Sequence, residues 1–354
     1  MSDVPFEPRC DPPERLHLPV PVDRTGQRGP TRGQAAGPGW RWVGPNAYVP
    51  AAADVSIPEQ RIVEATIHLD ARGAVTGWGA LRMRGATYFD GRLADGSTMP
   101  IPLALGHSGG RRKCAGIEMC YERLGHDEIE LAQGVPVAEP LSALFHEMRR
   151  PGDWRDGVVA MDMAAAAELV SIRQMQSYVA DRSGWLRSNQ ASRALRLASE
   201  HSRSPAETRL RLIWECDAGL PPPLVNRELF DLDGRLICVP DLLDVEAGLV
   251  IEYDGAEHRK ARRHSKDVAR EEKCRRVGLE YCKVTGPDMH STATVVDRFL
   301  STRSRARFLV PAARRWTVVP PPGWRRKESL DQKVERRAWI EEQMRIRRES
   351  QPKY

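Results

Sequence analysis

The sequence lacks several features that would assign a function directly. None of its apolar runs reaches the roughly eighteen residues needed to cross a bilayer, and its N-terminus does not have the pattern of a secretory signal. It has no glycine-rich phosphate loop, no zinc-ligand spacing and no Ser-His-Asp order. From these absences we expect no membrane segment and no export, and we do not predict a nucleotide-binding protein or a serine hydrolase.

Cysteine is also scarce, with seven residues in a chain of 354. None of them forms a CxxC pair. An odd number of cysteines, some of them in apolar runs, predicts reduced thiols and therefore a cytoplasmic protein. The seven are Cys10, Cys114, Cys120, Cys216, Cys238, Cys274 and Cys282.

Positive charge is concentrated at the C-terminal end. The chain carries a net charge of +6, but residues 303–354 hold fifteen Lys or Arg and only six Asp or Glu. The rest of the chain is therefore slightly acidic. A basic tail suits contact with a polyanion such as DNA, although such runs are more often solvated surface.

Three acidic residues in the second half of the chain stand where strands end. Asp241 follows an apolar run, while Glu252 and Asp254 lie two residues apart after the apolar, β-branched run 248–251. Residues two apart on a strand point to one face. If the two runs pair as a hairpin, Asp241 meets Glu252 across it. Apposed carboxylates suit Mg²⁺ or Mn²⁺, which prefer oxygen ligands, although single acidic residues at strand ends are more often solvated.

The elements around this trio follow a defined order. Ser204, with Pro205 next and Glu207 three residues on, predicts a capped helix. Strands are expected over 225–232 and 235–241, joined by an Asp-Gly turn, and over 248–254. A charged helix over 258–277 and a strand over 279–285 complete the series.

This order, together with several short motifs, resembles the PD-(D/E)XK nuclease superfamily. Within it, the chain is most similar to the actinobacterial endonuclease-domain family related to very-short-patch-repair endonucleases. The matching features are Ser-Pro-x-Glu-Thr-Arg-Leu-Arg at 204–211, Pro-Asp at 240–241, Ile-Glu-Tyr-Asp-Gly-x-x-His at 251–258 and Asp-x-x-Arg at 267–270. The resemblance covers about residues 204–290 and implies an αβββαβ restriction-endonuclease-like core that cleaves DNA with a divalent metal.

The resemblance also implies roles for individual residues. Asp241 and Glu252 would hold the metal, with Asp254 and Glu207 as further candidates for the metal shell; helix capping is an equally adequate role for Glu207. Asp254 stands where the wider superfamily has a lysine. The candidates to replace that lysine are His258, Lys260 and Lys273, and His258 would also suit proton transfer.

A second resemblance concerns the N-terminal half. The pattern from Arg32 to Val43 and the segment 75–85 resemble parts of AbiEi-type abortive-infection antitoxins. The prolines near the N-terminus argue against a complete helix-turn-helix. We expect a mixed α/β fold divided into a Pro/Gly-rich segment with a hairpin (1–55), an AbiEi-like α/β region (56–200), the nuclease-like domain (201–310) and a basic tail with a C-terminal helix (311–354).

The resulting prediction is a cytoplasmic, Mg²⁺- or Mn²⁺-dependent DNA endonuclease acting in phage defence or restriction. Basic residues would bind the phosphates, and a double-strand cut would favour a homodimer because each such site cuts one strand. The alternative is a non-catalytic DNA-binding or antitoxin-like regulator on the same fold, and RNA cleavage stays open. Neither a toxin nor a methyltransferase partner can be identified from the sequence. The candidate DNA-binding residues are Arg259, Lys260, Arg262, Arg263, Arg325, Arg326 and Lys327.

Overall fold

The computed structural model describes residues 16–70, 72–93, 96–105, 114–122, 124–255, 261–324 and 328–349. They divide into two compact units, one formed by 1–152 with 174–191 and the other by 153–173 with 192–354. The expected mixed α/β class is confirmed. The finer four-part division of the chain stays a prediction.

Helices and strands occur in both units. The helices are α1 (Arg32–Ala35), α2 (Pro58–Ala65), α3 (Gly77–Met83), α4 (Pro140–Met148), α5 (Trp154–Ala166), α6 (Ile172–Ala180), α7 (Ser188–Leu195), α8 (Pro205–Leu212), α9 (Ala261–Arg276), α10 (Thr292–Arg305) and α11 (Leu330–Glu349). The strands are β1 (Trp40–Gly44), β2 (Ala47–Pro50), β3 (Ala74–Val75), β4 (Ile101–Ala104), β5 (Ile117–Cys120), β6 (Ile129–Ala132), β7 (Val135–Ala138), β8 (Leu224–Val225), β9 (Leu229–Asp231), β10 (Leu236–Cys238), β11 (Leu242–Asp244), β12 (Leu249–Asp254), β13 (Glu280–Thr285) and β14 (Trp316–Thr317).

The first unit is built on a five-stranded sheet in the order β5-β4-β3-β7-β6. Helix α3 is almost wholly buried, and its Trp78 donates from Nε1 to the backbone oxygen of Pro100 at 2.9 Å. Gly77 begins this helix with φ +52°, and a Cβ there would lie 2.8 Å from His146 Cδ2 on α4. Only glycine therefore permits this close approach between the two helices.

The second unit is built on a four-stranded sheet in the order β13-β12-β11-β8. Strand β12 runs parallel to β13 and antiparallel to β11. Its alternate residues face opposite sides, as the pleat requires. Leu249 and Ile251 pack in a core with Trp214 and Phe299, whereas Val250 packs in a second core with partners that include Trp316.

Two expected strands are wrong in their extent. The strand expected over 225–232 is divided into β8 and β9, which lie in different sheets, and the strand expected over 235–241 is also wrong in its partner. We expected a single run over 235–241 that pairs with the strand holding Glu252, but β10 ends at Cys238 and pairs with β9 in a separate sheet. The strand beside β12 is β11, which begins at Leu242. Pro240 explains the break, because it has no N–H to donate to a sheet partner.

The basic C-terminal region is more closely integrated than the sequence indicated. Strand β14 pairs with β9 and buries Trp316. Helix α11 contacts the same unit through Lys333 and Arg337, which both form ion pairs with Glu168. These contacts hold α11 against its own unit.

Helix α8 is fixed in place by a buried ion pair with α5. The Arg211 guanidinium donates to Asp162 Oδ2 at 2.8 Å, and the two side chains are 4% and 0% exposed. Asp162 also accepts from the Thr208 hydroxyl at 2.8 Å and the Ser199 N–H at 2.7 Å. Because each of these buried charges has the other as its partner, the loss of one would leave the other uncompensated.

Replacing Arg211 with alanine is therefore expected to destabilise the second unit by about 3–5 kcal/mol. The matched control is Arg209→Ala on the same helix. Arg209 is 46% exposed and lies 3.7 Å from an exposed Asp156, so its loss is expected to cost at most about 1 kcal/mol. Urea unfolding followed by circular dichroism measures both changes, and equal effects of the two substitutions would contradict the assignment.

Candidate active site

Asp241 and Glu252 are brought together where β11 and β12 begin to pair. Leu242 lies opposite Ile251, so the next step of the same antiparallel register places Asp241 beside Glu252. The Tyr253 N–H donates to Asp241 Oδ2 at 2.7 Å. This bond fixes one carboxylate oxygen of Asp241 against the backbone of the strand that carries Glu252.

A lysine from the neighbouring strand completes this face of the sheet. In the parallel register of β12 and β13, Glu252 lies opposite Lys283, and Asp254 lies two residues further along β12. Lys283 Nζ is 2.9 Å from Asp254 Oδ2. Three charged side chains thus share one face, as the period of two in a strand requires.

Helix α9 supplies a second cation to the same face. The Arg270 Nη1 atom lies 3.3 Å and 3.2 Å from the two carboxylate oxygens of Glu252. Glu252 is only 8% exposed. A carboxylate with so little access to water needs a cation or strong donors beside it, and Arg270 supplies that charge.

Glu207 combines its expected capping role with a place near Asp241. Its N–H donates to the Ser204 hydroxyl at 3.2 Å, and its Oε2 accepts from the Arg203 N–H at 2.9 Å. The same Oε2 accepts from the side chain of Asn226 at 2.7 Å, while the Asn226 N–H donates to the backbone oxygen of Asp241 at 3.1 Å. Asn226 therefore links the two acidic residues.

The carboxyl group of Asp241 is held in an unfavourable environment for its charge. Burial is the main cause that raises its pKa, to about 6, and the nearby Glu207 carboxylate raises it further. The Tyr253 N–H, Arg270 and Arg203 oppose this rise. A carboxyl group with a pKa raised by burial and by a second carboxylate is a common feature of functional sites.

The chemistry of these residues fits a hard divalent cation, but the carboxylates are not gathered around one point. Mg²⁺ is usually held by one or two carboxylates and several waters, and Asp241 and Glu252 meet that requirement. Among the residues that the structure describes, however, only Glu118, Cys120 and His146 form a group of three whose donor atoms lie within 4.8 Å of one another. Both oxygens of Glu252 that a cation would use are also contacted by Arg270.

Several predicted residues lie outside the described part of the chain. His258, Arg259 and Lys260 belong to an undescribed segment, and so do Arg325, Arg326 and Lys327. For Arg262 and Arg263 only the backbone of α9 is described. Lys273 is exposed on α9. The roles that we assigned to these residues stay predictions.

Sequence reasoning missed Lys283 and the pairing role of Arg270. Lys283 had a detectable signal, because it is a lone lysine in the otherwise apolar stretch 281–284. Once β13 is placed parallel to β12, a lysine at this position must lie beside the acidic residues. Arg270 was noted as part of a motif, but a motif does not indicate which carboxylate it contacts.

Comparison with models of known protein families, with curated proteins and with solved structures finds no match in any of the three. The family resemblance drawn from short motifs therefore stays a prediction. Within the described ranges, none of the helices combines the length and the apolar character needed to cross a membrane.

The raised pKa of Asp241 predicts a pH-dependent gain in stability when its charge is removed. Between pH 3.8 and about 6 the folded chain keeps a proton at Asp241 that the unfolded chain has released. Raising the pH through this window therefore destabilises the fold, and the full cost is present above it. Asp241→Asn should raise the free energy of unfolding at pH 8 by up to about 3 kcal/mol, at about 1.4 kcal/mol per pKa unit.

Urea unfolding at pH 8 and at pH 4 measures this difference, and the gain should vanish at the lower pH. The control is Asp233→Asn, whose carboxylate is 75% exposed in a hairpin turn. A gain that is the same at both pH values would point to a cause other than the Asp241 charge.

Proposed function

We propose that this chain is a metal-dependent DNA endonuclease that hydrolyses phosphodiester bonds. The observation that carries the proposal is the charged face formed by three adjacent strands, with Asp241 directly before β11, Glu252 and Asp254 on β12, and Lys283 on β13. Two carboxylates next to a lysine offer a site for a divalent cation and a cationic group for a phosphate.

The order of the elements supports the same proposal. A helix (α8), three antiparallel strands (β8, β11, β12), a helix (α9) and a parallel strand (β13) follow one another, and the sheet order is β13-β12-β11-β8. This is the helix-strand order of the superfamily that the motifs resemble. Strands β9 and β10, which pair with each other, are inserted in the chain between β8 and β11.

Asp241 and Glu252 are the residues that would hold Mg²⁺ or Mn²⁺, with Glu207 close enough to affect the charge of Asp241. The ion would lower the pKa of an attacking water and offset negative charge on the scissile phosphate. The raised pKa of Asp241 reflects negative charge that its surroundings do not fully compensate, and this is the condition that a bound cation relieves.

Lys283 is the residue best placed to act as the lysine that is absent from position 254. Its ammonium group lies 2.9 Å from Asp254. Asp254 would therefore orient Lys283 and would not itself take the role of the absent lysine. A fixed ammonium group stabilises charge that develops on a phosphate oxygen without having to reorganise first. Arg270, which is 41% exposed on its helix, can contact a phosphate once it has released Glu252.

Further contacts with DNA would come from basic residues on the segment 259–263 and from the basic tail. Such contacts bind the backbone and carry no sequence information. The resemblance to repair and abortive-infection families suggests a role in phage defence, and free cysteines throughout the described residues suit a reducing cytoplasm. His258 remains the candidate for proton transfer.

A regulator without catalytic activity is the second candidate, and a specific observation favours it. Arg270 pairs with Glu252 and Lys283 pairs with Asp254. Two of the three acidic residues therefore already have a cationic side chain beside them. In this alternative the charged face would only stabilise the fold or bind DNA.

Cleavage of plasmid DNA separates the two candidates. With Mg²⁺ or Mn²⁺, the purified chain should nick or cut supercoiled plasmid, and a chelator should stop the reaction. Asp241→Ala and Glu252→Ala should each abolish cutting, whereas Asp233→Ala, which removes an exposed carboxylate of the same unit, should not. Retained DNA binding without cutting under any of these conditions would favour the regulator.

The proposed role of Lys283 predicts that Lys283→Met lowers the cleavage rate by about 10²–10³-fold, the usual cost of losing one electrostatic contact to the transition state. Binding to DNA should change little, because the basic segments supply most of it. Lys283→Arg should restore part of the rate. The control is Lys273→Met on α9; a loss of activity in this variant alone would assign the role to Lys273.

A further inference from the structure

We propose that the first unit holds a Zn²⁺ ion between Glu118 and Cys120 on β5 and His146 on α4. This proposal does not depend on the nuclease function, because these three residues belong to the other unit of the chain. The ion would tie β5, which is the edge strand of its sheet, to the adjacent helix.

The three donor atoms lie close to one another. Cys120 Sγ lies 3.9 Å from His146 Nε2, and Glu118 Oε1 lies 3.6 Å from the same nitrogen. All three donor atoms are within 4.8 Å of one another. Tetrahedral Zn²⁺ with ordinary bond lengths places sulfur and nitrogen ligands about 3.6 Å apart, so only a small contraction is needed.

The backbone and the surrounding packing restrict the positions of these three side chains. Glu118 and Cys120 are two residues apart on one strand, so they point to the same face. His146 is nearly buried at 11% exposure, and the close approach of Gly77 to its ring restricts the ring position. Cys120 is 7% exposed. A ligand set held by packing loses little conformational entropy when it binds a metal.

The second oxygen of Glu118, Oε2, accepts a hydrogen bond that would orient the carboxylate toward the metal. Arg150 Nη1 donates to Glu118 Oε2 at 2.8 Å, which leaves Oε1 directed at His146. Outer partners of this type fix a ligating carboxylate in place. Arg150 is itself near Glu147, whose Oε1 is 3.6 Å away and accepts from the Trp78 N–H.

The combination of donors selects the metal. A thiolate, an imidazole and a carboxylate suit Zn²⁺, whereas Mg²⁺ prefers oxygen ligands alone. Three protein ligands leave a fourth tetrahedral position for a water or another small ligand.

Cobalt substitution tests the site on the full-length chain after treatment with a chelator. Co²⁺ should occupy one thiolate-containing site per chain, with a thiolate charge-transfer band and the intense visible bands of tetrahedral cobalt, and Zn²⁺ should displace it. Cys120→Ser should remove the thiolate band. Glu118→Gln and His146→Gln should weaken Zn²⁺ binding at least about 100-fold, the upper end of the loss seen when an outer partner of a ligand is removed.

The matched control is Cys216→Ser, which removes an exposed thiol of the second unit and should leave the cobalt spectrum unchanged. Far-ultraviolet circular dichroism of the metal-free variants checks that they fold, and Zn²⁺ should raise the melting temperature of the parent chain but not of Cys120→Ser. The absence of a thiolate band, or metal binding that all three ligand variants leave unchanged, would overturn the proposal.

Discussion

The second unit depends on how the charges of the carboxylates near the junction of β11 and β12 are compensated. The antiparallel register, continued by one residue, places Asp241 next to Glu252, and Glu207 is near enough to raise the pKa of Asp241. Negative charges this close to an apolar sheet are costly unless cations or hydrogen bonds compensate them. The chain supplies Arg270 and Lys283 as partners, but Asp241 keeps a raised pKa. The charge of Asp241 is compensated least, so a bound cation or a metal carried by a phosphate would be stabilised most at Asp241.

The packing of β12 fixes the strand register on which these charged neighbours depend. A strand that slipped by one residue would turn every side chain to the opposite face, and both faces of β12 are occupied. Ile251 is fixed in one core and Val250 in the other. Because the register with β13 runs over the whole of β12, Lys283 is held opposite Glu252. The Asp162–Arg211 pair then fixes α8, which carries Glu207.

Sequence reasoning located the acidic residues but not the cations that neutralise them. The period of two correctly placed Glu252 and Asp254 on one face, because the pleat is a local property of the strand. The register of β11 with β12 implies that Asp241 lies beside Glu252. The sequence predicted the same neighbours, but from a strand over 235–241 that is in fact interrupted at Pro240. Lys283 and Arg270 could not be assigned, since their positions depend on a parallel crossover and on helix docking. Lys283 stands out as a lone lysine in an apolar stretch, but neither interaction leaves a short-range pattern that identifies the partner. The Glu118–Cys120–His146 cluster escaped notice for the same reason, because its histidine lies 26 residues from the nearest of the other two ligands.

The two proposed metal sites contain different donor atoms and therefore prefer different metal ions. The sheet of the second unit offers oxygen atoms alone, which suits Mg²⁺ and leaves room for waters. The cluster of the first unit contains a thiolate and an imidazole, which bind Zn²⁺ far more strongly than Mg²⁺. A chelator that removes Zn²⁺ would also stop a Mg²⁺-dependent nuclease, so chelation alone identifies neither site. Restoring Mg²⁺ without Zn²⁺ separates them: activity that returns under this condition belongs to the carboxylates, and a loss of thermal stability that persists belongs to the zinc cluster.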